Sequence, residues 1–379
     1  MQIIVIKGMD IAMDTLPQIF IAPSKYVQGS GVIGDVGKYV APLGDRVLVA
    51  GGKHGLRETR EGREKSFGEN GISQIEVEFR GETCDSEINR LAAFCVQNKC
   101  NVIMASGGGK VIDTVKSAAE DVGAATVIVP TTAANDAPCS ALSVVYNEDG
   151  THGYMRPLKR NPDLVLVDTD IISRAPVRYL IAGMGDAIAT WFEADACFLS
   201  GTINLPGGSI SNTAMALARL CYDTLIEFGL EAKTACENKT VNTALERVVE
   251  ANTLLSGLGF ESGGVAVAHA LSQVFSRIPE IHHCLHGEAV AFGLLVQLLL
   301  GGVPDDDLEK VFRFCNDVGL PVTLADINGD KVSRSALRDA AEAAAAPGST
   351  TCNMPFHVTG QMLIDAIYAA DAKGRSLRA

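Results

Sequence analysis

The chain has 379 residues, of which 47% are hydrophobic and 20% are charged, the balance of a folded globular protein rather than a disordered one. Lys and Arg total 32 against 45 Asp and Glu, so the formal net charge is −13 and the pI is near 5.0. Such a surface repels a phosphate backbone and offers no basic face to an anionic membrane, which argues against nucleic-acid and membrane partners.

Neither a membrane span nor a disulfide framework is expected. No apolar stretch approaches the ~18 residues that cross a bilayer. The residues from Met1 to Leu16 lack the basic start and the compact apolar core of a secretory signal. The ten cysteines include no C-x-x-C pair, so we interpret them as reduced thiols and exclude a structural zinc ribbon. These features favour a cytoplasmic location.

The first part of the chain alternates β-branched runs with amphipathic segments, which is typical of a parallel sheet covered by helices. The predicted strands are residues 46–50, 75–79, 101–106, 125–129 and 164–168. The predicted helices between them include residues 85–97 and 111–120. Because ligands bind at the carboxyl ends of parallel strands, we expect a Rossmann-like dinucleotide-binding α/β domain over residues 1–172.

From about Ser173 onward, long segments rich in Ala, Leu and Glu replace this alternation. The predicted helices are residues 181–200, 212–228, 243–258, 264–275, 288–300, 307–318 and 335–346. No run in this part alternates with period two, so we expect an all-helical domain over residues 173–379. A cleft between the two domains is a usual place for a substrate site.

A glycine triplet follows the predicted strand 101–106. Gly107, Gly108 and Gly109 allow the backbone to approach a pyrophosphate, and the next helix begins with free N–H groups, a positive dipole and the charge of Lys110. The pattern is neither G-x-G-x-x-G nor a Walker motif, so a plain tight turn is the alternative. Asp113, in the first turn of that helix, either faces the cofactor or offsets the helix dipole.

The polar loop over residues 130–140 leaves the end of the next predicted strand. Loops at that edge of an α/β sheet contact ligands more often than not. Asp136 in this loop is therefore a candidate ligand-contacting residue, with a purely structural role in an Asx-turn as the alternative.

Asp186, His269 and His286 are candidate metal ligands, since each lies among small or apolar residues. Buried carboxylates and imidazoles are costly unless they are paired or bind a metal. One Asp and two neutral His form a ligand set for Zn²⁺ or Fe²⁺ that leaves positions open for substrate. The spacing does not prove that residues from three separate helices converge, and a satisfied core histidine is the alternative for either His. The remaining histidines are expected in loops, beside the ligands or in solvent: His54, His152, His282, His283 and His357.

Five motifs resemble those of the iron-containing (group III) alcohol dehydrogenase family, and of its glycerol-oxidising branch in particular. They are GGGKVID at residues 107–113, the segment 130–146, GDAIATWFE at 185–193, GFESGG at 259–264 and HGEAVAFG at 286–293. The resemblance covers roughly Ile21 to Lys373. It implies an N-terminal Rossmann-like α/β domain with a parallel sheet and an all-α C-terminal domain, an architecture shared with 3-dehydroquinate synthases.

The resemblance implies a metal-dependent oxidoreductase that transfers hydride between a vicinal diol, with glycerol to dihydroxyacetone as the first expectation, and NAD or NADP. By motif, Asp186, His269 and His286 correspond to the metal ligands, and Asp136 corresponds to a catalytic, substrate-contacting aspartate beside His269. The dinucleotide-binding positions are Gly108, Gly109, Lys110, Asp113, Thr131, Ser140, Leu142 and Tyr146. Zinc is the expected metal, with Fe²⁺ as the alternative. Octamers are common in this branch, so a homo-oligomer is expected.

The sequence departs from the family pattern in four places. Gly52 stands where the family usually has an Asp that binds the adenosine ribose, which predicts a relaxed preference between NAD and NADP. Ala134 and Asn135 replace a Ser and a Thr, which removes one cofactor hydrogen bond. Ser272 replaces a second histidine, and Phe356 begins a segment that replaces a glycine pair. The last two bear on the substrate more than on the reaction.

Other functions stay open at this point. Other small alcohols such as 1,2-propanediol, amino alcohols and hydroxyketones compete with glycerol as substrates. A 3-dehydroquinate synthase-like lyase needs a cleft rich in Lys and Arg for its phosphorylated substrate, and the segments 181–193 and 256–275 contain neither. A non-haem iron oxygenase uses the same ligand types, normally on a β-sandwich. Only Ser272 favours a scaffold without catalysis.

Overall fold

The structure is a computed structural model that describes residues 16–379, apart from the side chain of His152. Residues 1–15 lie outside the described part, and the prediction that no secretory signal is present rests mostly on them. Within the described part, strands and helices alternate up to Pro130, three further strands follow up to Asp168, and helices with their connecting turns make up the rest. The predicted fold class is confirmed.

A six-stranded parallel sheet forms the centre of the first half. Its strands are β1 (Tyr26–Gly29), β2 (Arg46–Gly51), β3 (Ser73–Glu78), β4 (Val102–Gly107), β5 (Ala125–Pro130) and β8 (Leu164–Asp168), in the order β1-β8-β5-β4-β2-β3. Every residue of β4 and β8 is buried. Strands that are covered on both faces need apolar residues throughout, which is why these runs do not alternate in sequence.

Helices cover both faces of this sheet. They are α1 (Val36–Val40), α2 (Lys53–Glu69), α3 (Asp85–Gln97) and α4 (Gly109–Val122). Since successive side chains of a strand point to opposite faces, Leu48 of β2 packs in the cluster with α3 and α4, and Val49 packs in the cluster with α1 and α2.

An antiparallel hairpin and the first strand are absent from the sequence prediction. The hairpin consists of β6 (Leu142–Tyr146) and β7 (His152–Pro157), and β6 lies against α4. The strands β1 and β6 are only four and five residues long and partly exposed, so neither presents the long apolar run that marks the central strands.

The second half is built from ten further helices in the described chain. They are α5 (Thr169–Arg174), α6 (Val177–Ser200), α7 (Asn212–Glu237), α8 (Thr243–Glu250), α9 (Ser256–Gly263), α10 (Val267–Phe275), α11 (His286–Leu300), α12 (Asp305–Val318), α13 (Arg334–Ala344) and α14 (Gly360–Leu377).

Three predicted helices differ clearly from the structure. The predicted helix 212–228 is too short, since α7 continues to Glu237. The predicted helix 243–258 is divided, because a π-helical turn at Ala251–Leu255 separates α8 from α9. The predicted helix 264–275 begins only at Val267, since Gly264 has φ +95°, a left-handed value that ends the preceding helix.

One apolar cluster joins the two halves. It runs from Ile128 of the sheet through Cys139 to Met184 of α6 and Leu225 of α7. The division at residues 172 and 173 therefore stays a prediction. No single helix in residues 16–379 combines the length and apolar composition of a membrane span; one bent pair, Thr243–Gly263 with Val267–Phe275 at 105°, meets those criteria.

Candidate metal centre and dinucleotide crevice

The carboxyl ends of β2 and β4 border a crevice where the direction of the chain connections reverses. From β2 the chain moves outward to β3, whereas from β4 it moves the opposite way to β5. Ligands of open parallel sheets bind at such reversal points. Gly51 and Ser106 are paired at the ends of these strands, so Gly52 and Gly108 both lie at this edge.

The glycine loop has little room for side chains. Gly108 caps α4, whose first amides therefore face the crevice. A Cβ on Gly109 would lie 2.5 Å from Nδ2 of Asn135. The amide of Thr131 donates to the carbonyl of Gly107 at 3.1 Å, which places the loop after β5 beside the glycine loop. The departure at Asn135 thus puts an amide side chain against the predicted pyrophosphate site.

Lys110 already has partners in the protein. Its Nζ lies 2.6 Å from Oε2 of Glu82 and 5.5 Å from the ring centre of Tyr146. Burial, together with the charges of Asp113 and Glu82, raises the pKa of the Tyr146 phenol to about 12. Tyr146 is therefore a neutral phenol, and Lys110 lies beside it at the edge of the glycine loop.

Asp113 points into the protein. Its Oδ1 lies 2.9 Å from Nζ of buried Lys116, and its Oδ2 accepts a hydrogen bond from the Val144 amide at 3.1 Å. Nζ of Lys116 also donates to the carbonyl oxygens of Ser140 and Leu142, two predicted cofactor positions. Asp113 and Lys116 therefore hold the chain that carries these positions.

The three predicted metal ligands come together because two helices are in backbone contact. Asp186 lies on α6, His269 on α10, and His286 begins α11. A Cβ on Gly185 would overlap the carbonyl oxygen of Gly287, and a Cβ on Gly287 would overlap a carbonyl oxygen of α6. Gly185 beside Asp186 and Gly287 beside His286 are thus required for the close approach of α6 and α11.

The ligand atoms have the spacing that a metal needs. Oδ1 of Asp186 lies 3.4 Å from Nε2 of His269 and 3.3 Å from Nε2 of His286, and one ligand atom of each residue lies within 4.8 Å of the others. Ligands at ~2.0–2.2 Å from a tetrahedral ion stand about 3.3–3.6 Å apart. Oδ1 of Asp186 is buried and accepts no hydrogen bond in the described chain. The residues therefore fit a divalent metal.

Each imidazole is oriented by a hydrogen bond at its other nitrogen. Nδ1 of His269 lies 2.5 Å from Oε2 of Glu193, a carboxylate with no exposed surface. Nδ1 of His286 lies 3.2 Å from Oγ of Ser272. A hydrogen on each Nδ1 leaves the Nε2 lone pair directed at the site. Ser272, which departs from the family pattern, thus acts as a partner of His286.

The electrostatics of the metal-free cluster favour an ionised Asp186. Burial acts to raise its pKa, but the imidazoles of His286 and His269 outweigh burial and lower the pKa below its usual value. Burial acts to lower the pKa of His269, while Glu193 and Asp186 raise it well above the usual value.

Asp136 lies beside the metal ligands. Its amide donates to Oδ2 of Asp186 at 3.3 Å, and its own Oδ2 accepts from Oγ of Ser256 at 2.8 Å. Burial, together with the charge of Asp186, raises the pKa of Asp136 to about 7. The predicted substrate aspartate is therefore joined to a predicted metal ligand through its own backbone.

Three further residues contribute to the site without a predicted role: Glu193, Ser256 and Lys116. Glu193 follows Asp186 by seven residues, two helical turns that place both on one face of α6, and this periodicity was available in the sequence. No comparable pattern marks Ser256, because its partner Asp136 lies far away in the chain. Lys116 lies one helical turn after Asp113, but its contacts to Ser140 and Leu142 also join distant positions.

The other singled-out residues lie elsewhere. His282 and His283 are exposed, with ring centres 4.1 Å apart, in the turn before α11. His54 and His357 are exposed as expected. Phe356 lines a surface cavity of ≈ 420 Å³ together with Leu199, Met354 and His357.

Known proteins share this architecture. The family model for iron-containing alcohol dehydrogenase matches residues 23–169. A glycerol dehydrogenase of Escherichia coli O6:H1 is 45% identical over 95% of this chain and 98% of its own, and a glycolaldehyde reductase of Halobacterium salinarum is 41% identical over 96% and 100%. The crystal structure of glycerol dehydrogenase from Schizosaccharomyces pombe has a TM-score of 0.92 and 35% identity, over 96% of this chain and 92% of that one.

The fold and these likenesses define the class of protein. The chain belongs to the iron-containing alcohol dehydrogenase family, and it is an oxidoreductase that acts on small alcohols. Within that family it is similar to enzymes named for glycerol and for glycolaldehyde. The resemblance seen in the five motifs is confirmed.

Proposed function

We propose that the protein oxidises glycerol to dihydroxyacetone with a nicotinamide dinucleotide and a divalent metal. The observation that carries this proposal is the convergence of Asp186, His269 and His286 next to Asp136, at the boundary with the crevice of the parallel sheet. The glycerol dehydrogenase likeness over nearly the whole chain supports the choice of substrate.

The chain's own residues supply positions for a substrate with two neighbouring hydroxyl groups. When bound, a divalent metal supplies a Lewis acid that polarises the oxygen at the reacting carbon. Asp186, His269 and His286 would hold it, and Glu193 and Ser272 keep both imidazoles oriented. The carboxylate of Asp136 accepts a hydrogen bond from the second hydroxyl, which favours a vicinal diol over a simple alcohol.

The dinucleotide would lie in the crevice between β2 and β4. When bound, it accepts a hydride from the alcohol carbon or returns one to the carbonyl. We propose that the amides at Gly108 and Gly109 bind the pyrophosphate beside Lys110, and that Thr131, Ser140, Leu142 and Tyr146 line the remainder with Asp113 behind them. The lack of a side chain at Gly52 removes repulsion against a 2′-phosphate, so both NAD and NADP are accepted.

The test is a substrate panel with metal analysis. The purified protein is assayed with glycerol, 1,2-propanediol, 2-aminoethanol and 1-propanol, each with NAD and with NADP, after loading with Zn²⁺ or Fe²⁺. We expect the highest kcat/KM with glycerol and the zinc-loaded protein. A higher kcat/KM for 1-propanol than for glycerol and 1,2-propanediol would contradict the proposal.

The glycolaldehyde reductase likeness favours a second candidate, the reduction of a small hydroxyaldehyde with the reduced dinucleotide. The same site serves this reaction, because a hydroxyaldehyde also places two neighbouring oxygens near the metal ligands and Asp136. Assaying glycolaldehyde and dihydroxyacetone with NADH and NADPH separates the two. A kcat/KM for glycolaldehyde above that for dihydroxyacetone would assign the protein to aldehyde reduction.

We propose in addition a cytoplasmic homo-oligomer. Among the described helices and turns, large apolar side chains are exposed on the helical half, and Leu199, Ile203 and Leu230 are each more than half exposed. The ten cysteines are all free thiols, which suits a reducing compartment. Light scattering of the purified protein measures the subunit count, and a monomeric mass would contradict this proposal.

A further inference from the structure

The loop that carries Asp136, Ser140 and Leu142 is held by side chains from both halves of the molecule. It connects β5 to β6, and its own sequence is rich in small residues with few side chains able to hold it in place. Asn252, in the π-helical turn, donates to the carbonyl of Ala133 at 3.0 Å. Loops near a reacting centre need such outside support, because their position decides the geometry of the bound substrate.

Glu261 of α9 makes the most direct of these contacts. Its side chain is buried, with the residue only 2% exposed. Oε1 accepts from the amide of Ala141 at 2.5 Å, and Oε2 accepts from Nδ2 of Asn161 at 2.6 Å. Asn161 in turn donates to the carbonyl of Cys139 at 2.9 Å. Glu261 therefore reaches the loop twice, once directly and once through Asn161.

The peptide group between Ser140 and Ala141 is held from opposite sides. Its carbonyl accepts from Nζ of Lys116 on α4 at 3.4 Å, and its N–H donates to Glu261 on α9. The positive charge of Lys116 acts on Glu261 through the loop that lies between them. A cation from the α/β half and a carboxylate from the helical half thus hold one peptide.

The same helix also holds the other end of the loop. Ser256, the first residue of α9, donates to Asp136, and a Cβ on Gly257 would lie 3.1 Å from the carbonyl oxygen of Asp136. One rigid helix therefore sets the distance between the predicted substrate residue and the predicted cofactor residues that follow Ala141. None of the contacts of Glu261 touches a predicted metal ligand, and the loop reaches one of them, Asp186, through the amide of Asp136.

We propose that Glu261 is a positioning residue for the reaction, because from α9 it fixes the loop 136–142. The fixed loop holds the binding positions for the dinucleotide and for the second hydroxyl of the substrate at a constant distance from each other. This role rests on the proposed function. It predicts that loss of Glu261 weakens dinucleotide binding and turnover together, while the metal stays bound.

The chain offers a matched control. Glu246, on α8, also reaches across to the α/β half, where its carboxylate accepts from Thr169 at 2.6 Å and from Gln28 at 2.8 Å. Those partners lie on α5 and β1, away from the loop. A carboxylate with a merely structural role between the halves is expected to behave like Glu246.

The experiment compares Glu261→Ala and Glu261→Gln with Glu246→Ala and Glu246→Gln, all metal-loaded. The first readout is the dissociation constant of NAD or NADP, whichever the wild type binds more tightly, measured by titration calorimetry. The other readouts are the metal content, the thermal midpoint, and kcat and KM for the best substrate of the panel. A wild type that binds neither dinucleotide defeats the proposed function itself, independently of any variant.

We expect Glu261→Ala to raise the dissociation constant about tenfold or more and to lower kcat/KM by about 10- to 100-fold, with full metal content. Glu261→Gln keeps one acceptor for two donors and is expected between Ala and wild type; it decides the question if the Ala variant does not fold. The proposal is overturned if the Glu261 variants only lower the thermal midpoint while binding and kcat/KM stay within about twofold of wild type. Equal losses in the Glu246 variants also overturn it.

Discussion

Glu193 shows how much of the site depends on residues that touch neither substrate nor metal. It is fully buried, and besides Nδ1 of His269 it accepts from the backbone amides of Ala266 and His269. It therefore fixes both the ring and the first turn of α10. Removing one carboxylate charge weakens this support without changing the ligands themselves.

We predict that Glu193→Gln lowers metal affinity by about 10- to 100-fold, because a carboxylate that orients a ligating histidine also raises its basicity. Competition with a chromogenic chelator measures the affinity, and Glu246→Gln serves as the control with unchanged affinity. An unaltered metal affinity in Glu193→Gln would show that the backbone alone holds His269.

Asp136 gives a prediction about the substrate. We expect Asp136→Asn to lower kcat/KM for glycerol by about 10- to 100-fold, the worth of a hydrogen bond to a charged group. For 1-propanol, which lacks the second hydroxyl, the loss should be much smaller. Steady-state assays of both alcohols measure the ratio, and equal losses would remove Asp136 from diol recognition.

At the scale of elements, the central strands and the helix α6 were predictable because burial on all sides leaves long apolar runs. The divided helix at Ala251–Leu255 and the hairpin of β6 and β7 were not. A π-helical turn is built from the same residue types as the α-helices on either side of it, so composition does not reveal it. The short strands of the hairpin are stabilised by packing against α4 rather than by a pattern of their own. The local sequence pattern predicts that a segment is buried, but it does not predict which distant element packs against that segment.

The start of α2 gives a prediction at this scale. Gly52 is its N-cap with φ −71°, and a Cβ there would meet no atom within 4 Å. We expect Gly52→Asp to raise the ratio of kcat/KM for NAD over NADP about tenfold or more, since the new carboxylate bonds the ribose hydroxyls and repels a 2′-phosphate. Stability should change by only a few tenths of a kcal/mol, because Gly and Asp are both accepted N-caps.

Assays with both dinucleotides, together with thermal melts, check this prediction. Gly34, which also has open space around its Cβ, provides the control variant Gly34→Asp. A wild type that already favours NAD by several hundredfold would contradict the role given to Gly52.

At the scale of the whole molecule, the site lies where the two halves share a core, and this juxtaposition was not derivable from spacing. The sequence indicated the kinds of ligand and their separate helices. Their convergence depends on backbone contact at Gly185 and Gly287, which a pattern of small residues suggests only once the packing is known. The types of the single residues left it open whether Asp186, His269 and His286 bind one metal, and the resemblance of the five motifs indicated that they do.

Buried acids between the halves should give stability a measurable dependence on pH. Burial raises the pKa of Glu261 to about 7, above its value of about 4.3 in an unfolded chain. Between these values the folded state binds more protons, so this contribution is fully present below about pH 4 and is lost as the pH rises through about 7. Glu261→Gln does not titrate.

We therefore expect the free energy of unfolding of the wild type, relative to Glu261→Gln, to fall between pH 5 and pH 8 by a few kcal/mol at most, with about 3 as the upper limit. Urea unfolding of both proteins at several pH values, in the same metal state, measures the difference. A difference that is flat or rises with pH would contradict the effect of burial.

The positions of the three ligands along the chain have a mechanical consequence. A metal ion bound to Asp186, His269 and His286 would cross-link the chain and close two loops, a long one from Asp186 to His269 and a short one that contains the surface turn over residues 276–285. Cross-links of this kind lower the entropy of the unfolded chain and so stabilise the folded state. Stripping the ion with a chelator should lower the melting temperature and quicken tryptic cleavage at exposed Arg277 within that turn, as gel electrophoresis would reveal.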